Sequence, residues 1–158
     1  MLLEVLEAER NYDRRQVFRL LLLADDSEQQ VRDYMFRGRL FLLQESSTAQ
    51  VLGQLLLLGQ RKRSAEIRSV SVLREHRCRG FGQFLVRNVL SRLKIEGTTC
   101  VRVGTSTADI ENIAFYQKLG FRCLRVERDA FTARRGYPIG LRSNGVLVRD
   151  KIWFEIHL

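Results

Sequence analysis

The run Arg77-Cys78-Arg79-Gly80-Phe81-Gly82 constrains this chain more than any other feature, because it falls between a strand-like stretch and an amphipathic one. A strand must turn directly into a helix there, with two glycines and two guanidinium groups at the turn. Glycine lets the main chain come close to a ligand, and the first N–H groups of a helix have no partner inside it. Those donors and the positive end of the helix favour an anion, so Gly80, Phe81 and Gly82 are placed to direct amides at phosphate oxygens. Taken alone, the hexapeptide is equally compatible with a packing turn that needs small residues.

Two familiar phosphate loops do not fit. A P-loop requires a Lys-Ser or Lys-Thr pair after its second glycine, and Gln83-Phe84 follow Gly82. A dinucleotide fingerprint requires a third glycine at the helix start and an acid at the end of the next strand. Here Leu85 takes the glycine's place, and Val103-Gly104-Thr105 ends the strand without a carboxylate.

Charge distribution agrees with a local anion site. The 158 residues carry a formal charge of +9, which alone would permit a nucleic-acid binder. Acids crowd the N-terminal part, from Glu4 to Asp33. Bases crowd the middle, at Arg61, Lys62, Arg63, Arg68, Arg74, Arg77, Arg79, Arg87, Arg92, Lys94 and Arg102. No aromatic-interleaved basic face supports nucleic acid as a partner. The composition, 45% hydrophobic and 28% charged, is that of a folded domain and not of a disordered chain. The apolar runs are too short to span a bilayer, and Met1-Leu2-Leu3-Glu4 does not open like a signal peptide. Cys78, Cys100 and Cys123 cannot all pair and lack metal-ligand spacing, so the expectation is reduced thiols, no metal and a cytoplasmic protein.

The pattern predicts a strand over residues 1–9, a helix over 14–23 with Val17, Leu20, Leu21 and Ala24 on one face, and a second helix from Ser27 to Gly38. Ser27 is the expected cap of that second helix, with Gln30 completing a capping box. Strands follow at 40–44, 51–58 and 65–73, with Gly53 marking a bulge or twist. A helix over 80–95 would bury Phe81, Phe84, Leu85, Val89 and Leu93. A strand at 99–103, a helix at 109–119 and strands at 121–127 and 146–158 complete the order. This β-α-α-β-β-β-α-β-α-β-β order predicts one α/β (α+β) domain over residues 1–158, a mixed sheet with helices on both faces.

The helix Asn112-Ile113-Ala114-Phe115-Tyr116-Gln117-Lys118-Leu119-Gly120-Phe121, together with the Arg77–Gly82 loop and the strand before it, resembles the GNAT superfamily of N-acetyltransferases. The resemblance is close over residues 65–125 and looser over the full element order. It implies a mostly antiparallel sheet of about seven strands with about four helices. It also implies acetyl-CoA as cosubstrate. On that basis Val70, Ser71 and Val72 would pair with the pantetheine arm, and Cys78, Gly80, Phe81, Gly82 and Gln83 would hold the pyrophosphate, with Arg77 and Arg79 supplying charge. Tyr116 stands where the family often has a tyrosine beside the cofactor sulfur. Asp109 stands where the family often has an asparagine; it can still cap its helix, and Asn112 is the substitute contact. The segment from Asp129 through Tyr137-Pro138 and Asn144-Gly145 to Asp150 is similar to uncharacterised bacterial members, which implies a bacterial source.

Acetyl transfer to an amine requires a neutral amine, a stabilised oxyanion and a protonated leaving thiolate. An alkylammonium titrates near ~10.4, so a base is needed at neutral pH. Glu66 is the first candidate, because period-2 alternation would put Glu66, Arg68, Val70 and Val72 on one face; the bland alternative is a surface glutamate paired with Arg68 or Arg102. Tyr116 is the candidate acid, and a backbone N–H near Val72 the oxyanion donor. Some members of that family carry a catalytic glutamate on the strand before the tyrosine helix; Gly104 stands in that place here, which argues against that variant. The expected acceptor is the primary amine of a small molecule or amino-acid derivative, bound between the Ala24–Ser27 turn and the 129–144 loop. There Asp25, Asp26 and Asp129 would meet an ammonium group, and Arg128, Arg134, Arg135 and Arg142 an anion. The rival readings are a CoA-binding module without catalysis and a protein N-terminal or lysine acetyltransferase. A homodimer is allowed, with Ile152–Ile156 serving either as interface or as core.

Overall fold

A computed structural model describes residues 1–60 and 63–158; Arg61 and Lys62 of the basic stretch lie outside the described residues. The strands are β1 (Leu3–Glu7), β2 (Arg39–Glu45), β3 (Val51–Gln60), β4 (Ser64–Val72), β5 (Cys100–Ser106), β6 (Arg122–Glu127), β7 (Arg142–Ser143), β8 (Val146–Leu147) and β9 (Lys151–His157). The helices are α1 (Phe18–Leu22), α2 (Glu28–Tyr34), α3 (Phe81–Ile95) and α4 (Ile110–Lys118). Seven strands form one sheet in the order β1-β2-β3-β4-β5-β9-β6. Every pairing in it is antiparallel except β4 with β5.

Two apolar clusters sandwich the sheet, as its two-sided hydrophobicity requires. On one face Leu85, Val86, Val89, Leu90 and Leu93 of α3, Tyr116 of α4 and Leu119 just after it pack on Phe41, Leu55, Ile67, Val101, Val103 and Phe154. On the other, Val17, Leu20 and Leu21 and the α2 residues Val31 and Tyr34 cover Leu40, Leu42 and Leu56. Phe84, expected in the core, is instead 37% exposed, because the helix turns Val86 and Leu90 inward beside Leu85 and Leu93. The first helix is shorter than its pattern suggested. A 3-10 turn over Arg14–Val17 precedes α1, and Ala24 lies exposed beyond it. Ser27 does cap α2, its Oγ accepting from the Gln30 N–H at 3.2 Å. The Ser27 N–H donates to Asp25 Oδ1 at 3.1 Å, so an aspartate two residues back fills the role expected of Gln30.

Two irregularities in the central strands position the site. Across β2 and β3 the register shifts between Leu43 and Gln44, beside Gly53, where a bulge was expected. Across β3 and β4 a second shift skips Arg68, since Leu56 faces Ser69 while Leu57 faces Ile67. An extra residue in one strand of a pair bends it and resets which side chains face which side. Ala65 and Ile67 pack under α3, and past Arg68 it is Val70 and Val72 that do so. The pleat therefore turns Glu66 to the opposite face from Val70 and Val72, which corrects the expectation that one face holds all of them. Ser69 and Ser71 now lie toward α1: Gln54 Nε2 donates to both hydroxyls, and Ser71 Oγ donates to Leu20 O at 2.6 Å.

The C-terminal segment expected as one strand is two. Asn144 and Gly145, both at positive φ, form the two-residue turn of the β7–β8 hairpin, and β9 begins only at Lys151. Because β9 lies between β5 and β6 with Phe154 fully buried, this strand belongs to the sheet interior and its edges are already paired.

Candidate active site

Parallel pairing of β4 with β5 runs only from Ser64–Cys100 to Ile67–Val103. Beyond it the strands part, and a cleft of ~880 Å³ opens between them and continues past the start of α3, a size suited to a small-molecule cofactor. The main chain of β4 prepares one wall. The Leu73 N–H donates to Leu52 O on β3, so antiparallel alternation turns the main-chain groups of Val72 and Val70 away from β3 and toward the gap. Ser71, by the same alternation, spends its main chain on β3. Val72 O is taken by Arg77 Nε at 3.1 Å, which ties the glycine loop to the strand end and leaves the Val72 N–H facing the cleft.

The loop itself has the backbone of an anion cradle. Cys78 (φ 57) and Gly80 (φ 80) are both left-handed, which bends successive N–H groups into one concavity. Gly80 occupies the helix cap position without a side-chain cap, and the first helical bond runs from the Phe84 N–H to Gly80 O. The N–H groups of Phe81, Gly82 and Gln83 are thus the unpaired donors at the start of a 15-residue helix. His76 stacks on Phe81 at 5.8 Å between ring centroids, and Arg79 lies 5.0 Å over the same ring.

Of the residues expected to hold a cofactor, Val70, Ser71, Val72, Arg77, Cys78, Gly80, Phe81, Gly82, Gln83 and Asn112 all line the cleft, as does Tyr116. Arg79 does not; it is exposed outside the wall. Glu66 does not line it either. It is paired across the sheet with Arg102, on the face that also carries Glu155. Tyr116 is 6% exposed among Phe115, Phe121 and Phe154, and burial, with the Asp109 charge second, pushes its phenol well above the ordinary range. It therefore keeps its proton throughout neutral pH. Asp109 begins α4 without capping it: its Oδ1 accepts from Ser143 Oγ at 2.6 Å and binds the helix start to the β7–β8 hairpin. Asn112 Nδ2 donates to Thr105 Oγ1 at 3.4 Å.

A second, smaller cavity of ~80 Å³ joins the cleft where β5 leaves β4. Ala24, Asp26, Arg68, Gly104, Thr105, Asp109, Asn112 and Val148 border both spaces, and Asp25, Phe131, Tyr137 and Lys151 line the smaller one. It lies between the Ala24–Ser27 turn and the long loop, where the sequence led to an acceptor being sought, but its charges differ from those expected. Asp129 pairs with Arg149 at 3.1 Å on the surface, and Arg128, Arg134 and Arg135 do not line the cavity. Asp25 is held by Arg68 at 3.4 Å, while Arg68 lies 4.1 Å over the Tyr34 ring. Asp26 faces the junction, and its carboxyl is raised, first by loss of solvent and then by the Asp109 and Asp25 charges. Lys151 was missed: it comes from a strand distant in sequence from the rest of the site, and only its pairing with β5 brings it there. Gly104 makes room for it, since a Cβ there would stand 2.8 Å from Lys151 Cδ.

Away from the cleft, Cys100, Glu155 and His157 bring one sulfur, oxygen and nitrogen ligand atom each within 4.8 Å of one another. Cross-strand pairing of β5 with β9 assembles this group, which no sequence spacing could reveal. All three cysteines are free thiols. Among the described residues no helix is long and apolar enough to cross a membrane.

Comparison with known proteins agrees with this geometry. An uncharacterised N-acetyltransferase of Bacillus subtilis, YvbK, is 31% identical over 143 residues, covering 90% of each chain. The structure of an IAA acetyltransferase from Bacillus cereus superposes with a TM-score of 0.86 at 29% identity, over 99% of this chain and 100% of that one. A Bacillus subtilis acetyltransferase solved in complex with CoA gives the same score and identity over 99% of both chains. Residues 7–121 match the acetyltransferase (GNAT) family. The chain belongs to the acetyltransferase (GNAT) family.

Proposed function

We propose that this enzyme moves an acetyl group from acetyl-CoA directly to the primary amine of a small molecule or amino-acid derivative. The observation that supports this reading is the continuity of the anion cradle, the strand gap and the small charged cavity, which share lining residues and leave adjoining room for a donor and an acceptor. The residues fit the cosubstrate: uncapped N–H groups of Phe81, Gly82 and Gln83 for the diphosphate, and main-chain groups of Val70 and Val72 for the amide-rich arm. Acetyl-CoA supplies the activated thioester.

The protein's own groups then supply the rest. The Val72 N–H faces the carbonyl oxygen on which negative charge develops as the amine attacks. Tyr116, protonated and lining the cleft, returns a proton to the departing sulfur. Asp26, a carboxylate bordering both spaces, accepts the proton that the attacking amine must shed. Glu66 lies on the sheet face that also bears Lys151 and would serve through an intervening water. Phe131 and Tyr137 wall the acceptor cavity, which favours a compact amine over the end of a polypeptide. The test is a thermal shift with acetyl-CoA followed by an amine panel read as free thiol. Stabilisation with amine-dependent thiol release is expected; stabilisation with no release from any amine would leave only a cofactor-binding module.

A further inference from the structure

The acceptor cavity contains two cations with different employment. Arg68 is spent on Asp25 at 3.4 Å and on the Tyr34 ring. Lys151 reaches across β5 over Gly104 and holds its Nζ 5.4 Å from the Phe131 ring centroid and 5.1 Å from that of Trp153. Among the described residues no carboxylate forms a salt bridge with it. Three acids are near enough to act on it: Glu127 is bound to Trp153 Nε1 at 2.9 Å and to Arg135, Asp25 to Arg68 and the Ser27 N–H, and Glu66 stands opposite Arg102 across the paired strands.

A partly buried ammonium held by aromatic faces, with a second cation nearby, is short of negative charge. Resting on the acetyl-transfer reading above, we propose that the acceptor amine bears a carboxylate at its other end and that Lys151 binds it, making this residue the determinant of acceptor class. Burial, and then the Arg68 charge, pull the Lys151 ammonium below its ordinary range, the direction expected of a cation awaiting an anion. Asp26 stands on the cleft side of the same cavity, so the two ends of the substrate meet opposite charges, with the amine end toward the thioester. One uncommitted cation in a cavity of ~80 Å³ matches a carboxylate monoanion better than a phosphate dianion.

The test is a matched set of amines: an amino acid, its primary amide and its aminophosphonate analogue, each assayed for thiol release with the wild-type enzyme, K151M and K151R. A charge-assisted contact predicts that the carboxylate exceeds the amide in kcat/KM by about 10–100-fold, mostly through KM. In K151M this advantage should fall to within about threefold, and K151R should restore part of it. An unchanged cofactor-induced thermal shift shows that the variants are folded. Equal rates for acid and amide in the wild type, a preference that survives K151M, or a phosphonate that outperforms the carboxylate would each overturn the proposal while leaving acetyl transfer intact. Thiol release from no amine at all would sink acetyl transfer and this inference together.

Discussion

Replacing Gly82 probes the cradle without touching any charged group. A Cβ at residue 82 would lie 3.3 Å and 3.4 Å from two Phe115 ring carbons and 3.9 Å from Val72 Cγ2. Alanine needs the ring to move by only a few tenths of an ångström. Leucine carries further carbons ~1.5–2.5 Å beyond that point, so either the ring leaves or the side chain turns over the N–H donors of Phe81 and Gln83. At acetyl-CoA concentrations of 100 Kd, wild-type stabilisation is about 2.7 kcal/mol, a shift of roughly 5–11 °C for a domain of this size. A 100-fold weaker Kd in G82L leaves RT ln 2, about 0.4 kcal/mol, or roughly 1–2 °C. G82A, if threefold weaker, keeps about 2.1 kcal/mol. Differential scanning fluorimetry with and without acetyl-CoA reads all three proteins, and each ligand-free melt reports folding separately. A folded G82L that keeps the full wild-type shift would refute the cradle at residues 78–83.

Three other outcomes follow from the same geometry. Tyr116→Phe should lower kcat by about 10²–10⁴-fold, the range for a lost general acid, while leaving cofactor stabilisation intact; a change below threefold would remove Tyr116 from the chemistry. Asp26 has a folded pKa above its unfolded value, so its charge costs stability above the folded pKa, and the cost fades as pH falls through it to below the unfolded ~3.9. D26N should therefore melt higher than wild type at neutral pH, with the gap closing in acid, and should lose the acid limb of the kcat/KM profile; if E66Q loses that limb and D26N retains it, Glu66 is the base. Phe154→Ala empties a fully buried site against Tyr116 and should cost about 3–5 kcal/mol in urea unfolding, whereas a cost under 1 kcal/mol would contradict the packing of β9 inside the sheet.

The local features were the legible ones. The strand-to-helix turn at Gly80 is readable because phosphate binding by a helix start depends on contiguous residues, and the Tyr116 helix for the same reason. Features made by non-adjacent strands were not. No residue type announces that Arg68 is the extra residue in β4, yet that one bulge carries Glu66 to the other face and turns Ser69 and Ser71 toward α1. Lys151 lies 47 positions from Gly104 in sequence, and only the antiparallel pairing of β9 with β5 lays one over the other. The β7–β8 hairpin did have a signal, the pair Asn144-Gly145, whose shared positive φ favours a two-residue turn. Basic residues near a loop are easily over-assigned from sequence. Arg79 lies outside the cleft wall, and Arg135 is occupied by Ala130 O and by Glu127.

A crystal structure of the enzyme grown with coenzyme A tests the central claim most directly. The account predicts diphosphate oxygens within hydrogen-bond distance of the Phe81, Gly82 and Gln83 amides, the pantetheine arm paired with Val70 and Val72, and sulfur beside Tyr116. Coenzyme bound elsewhere, with the turn at Cys78–Gln83 making no contact to it, would contradict the account.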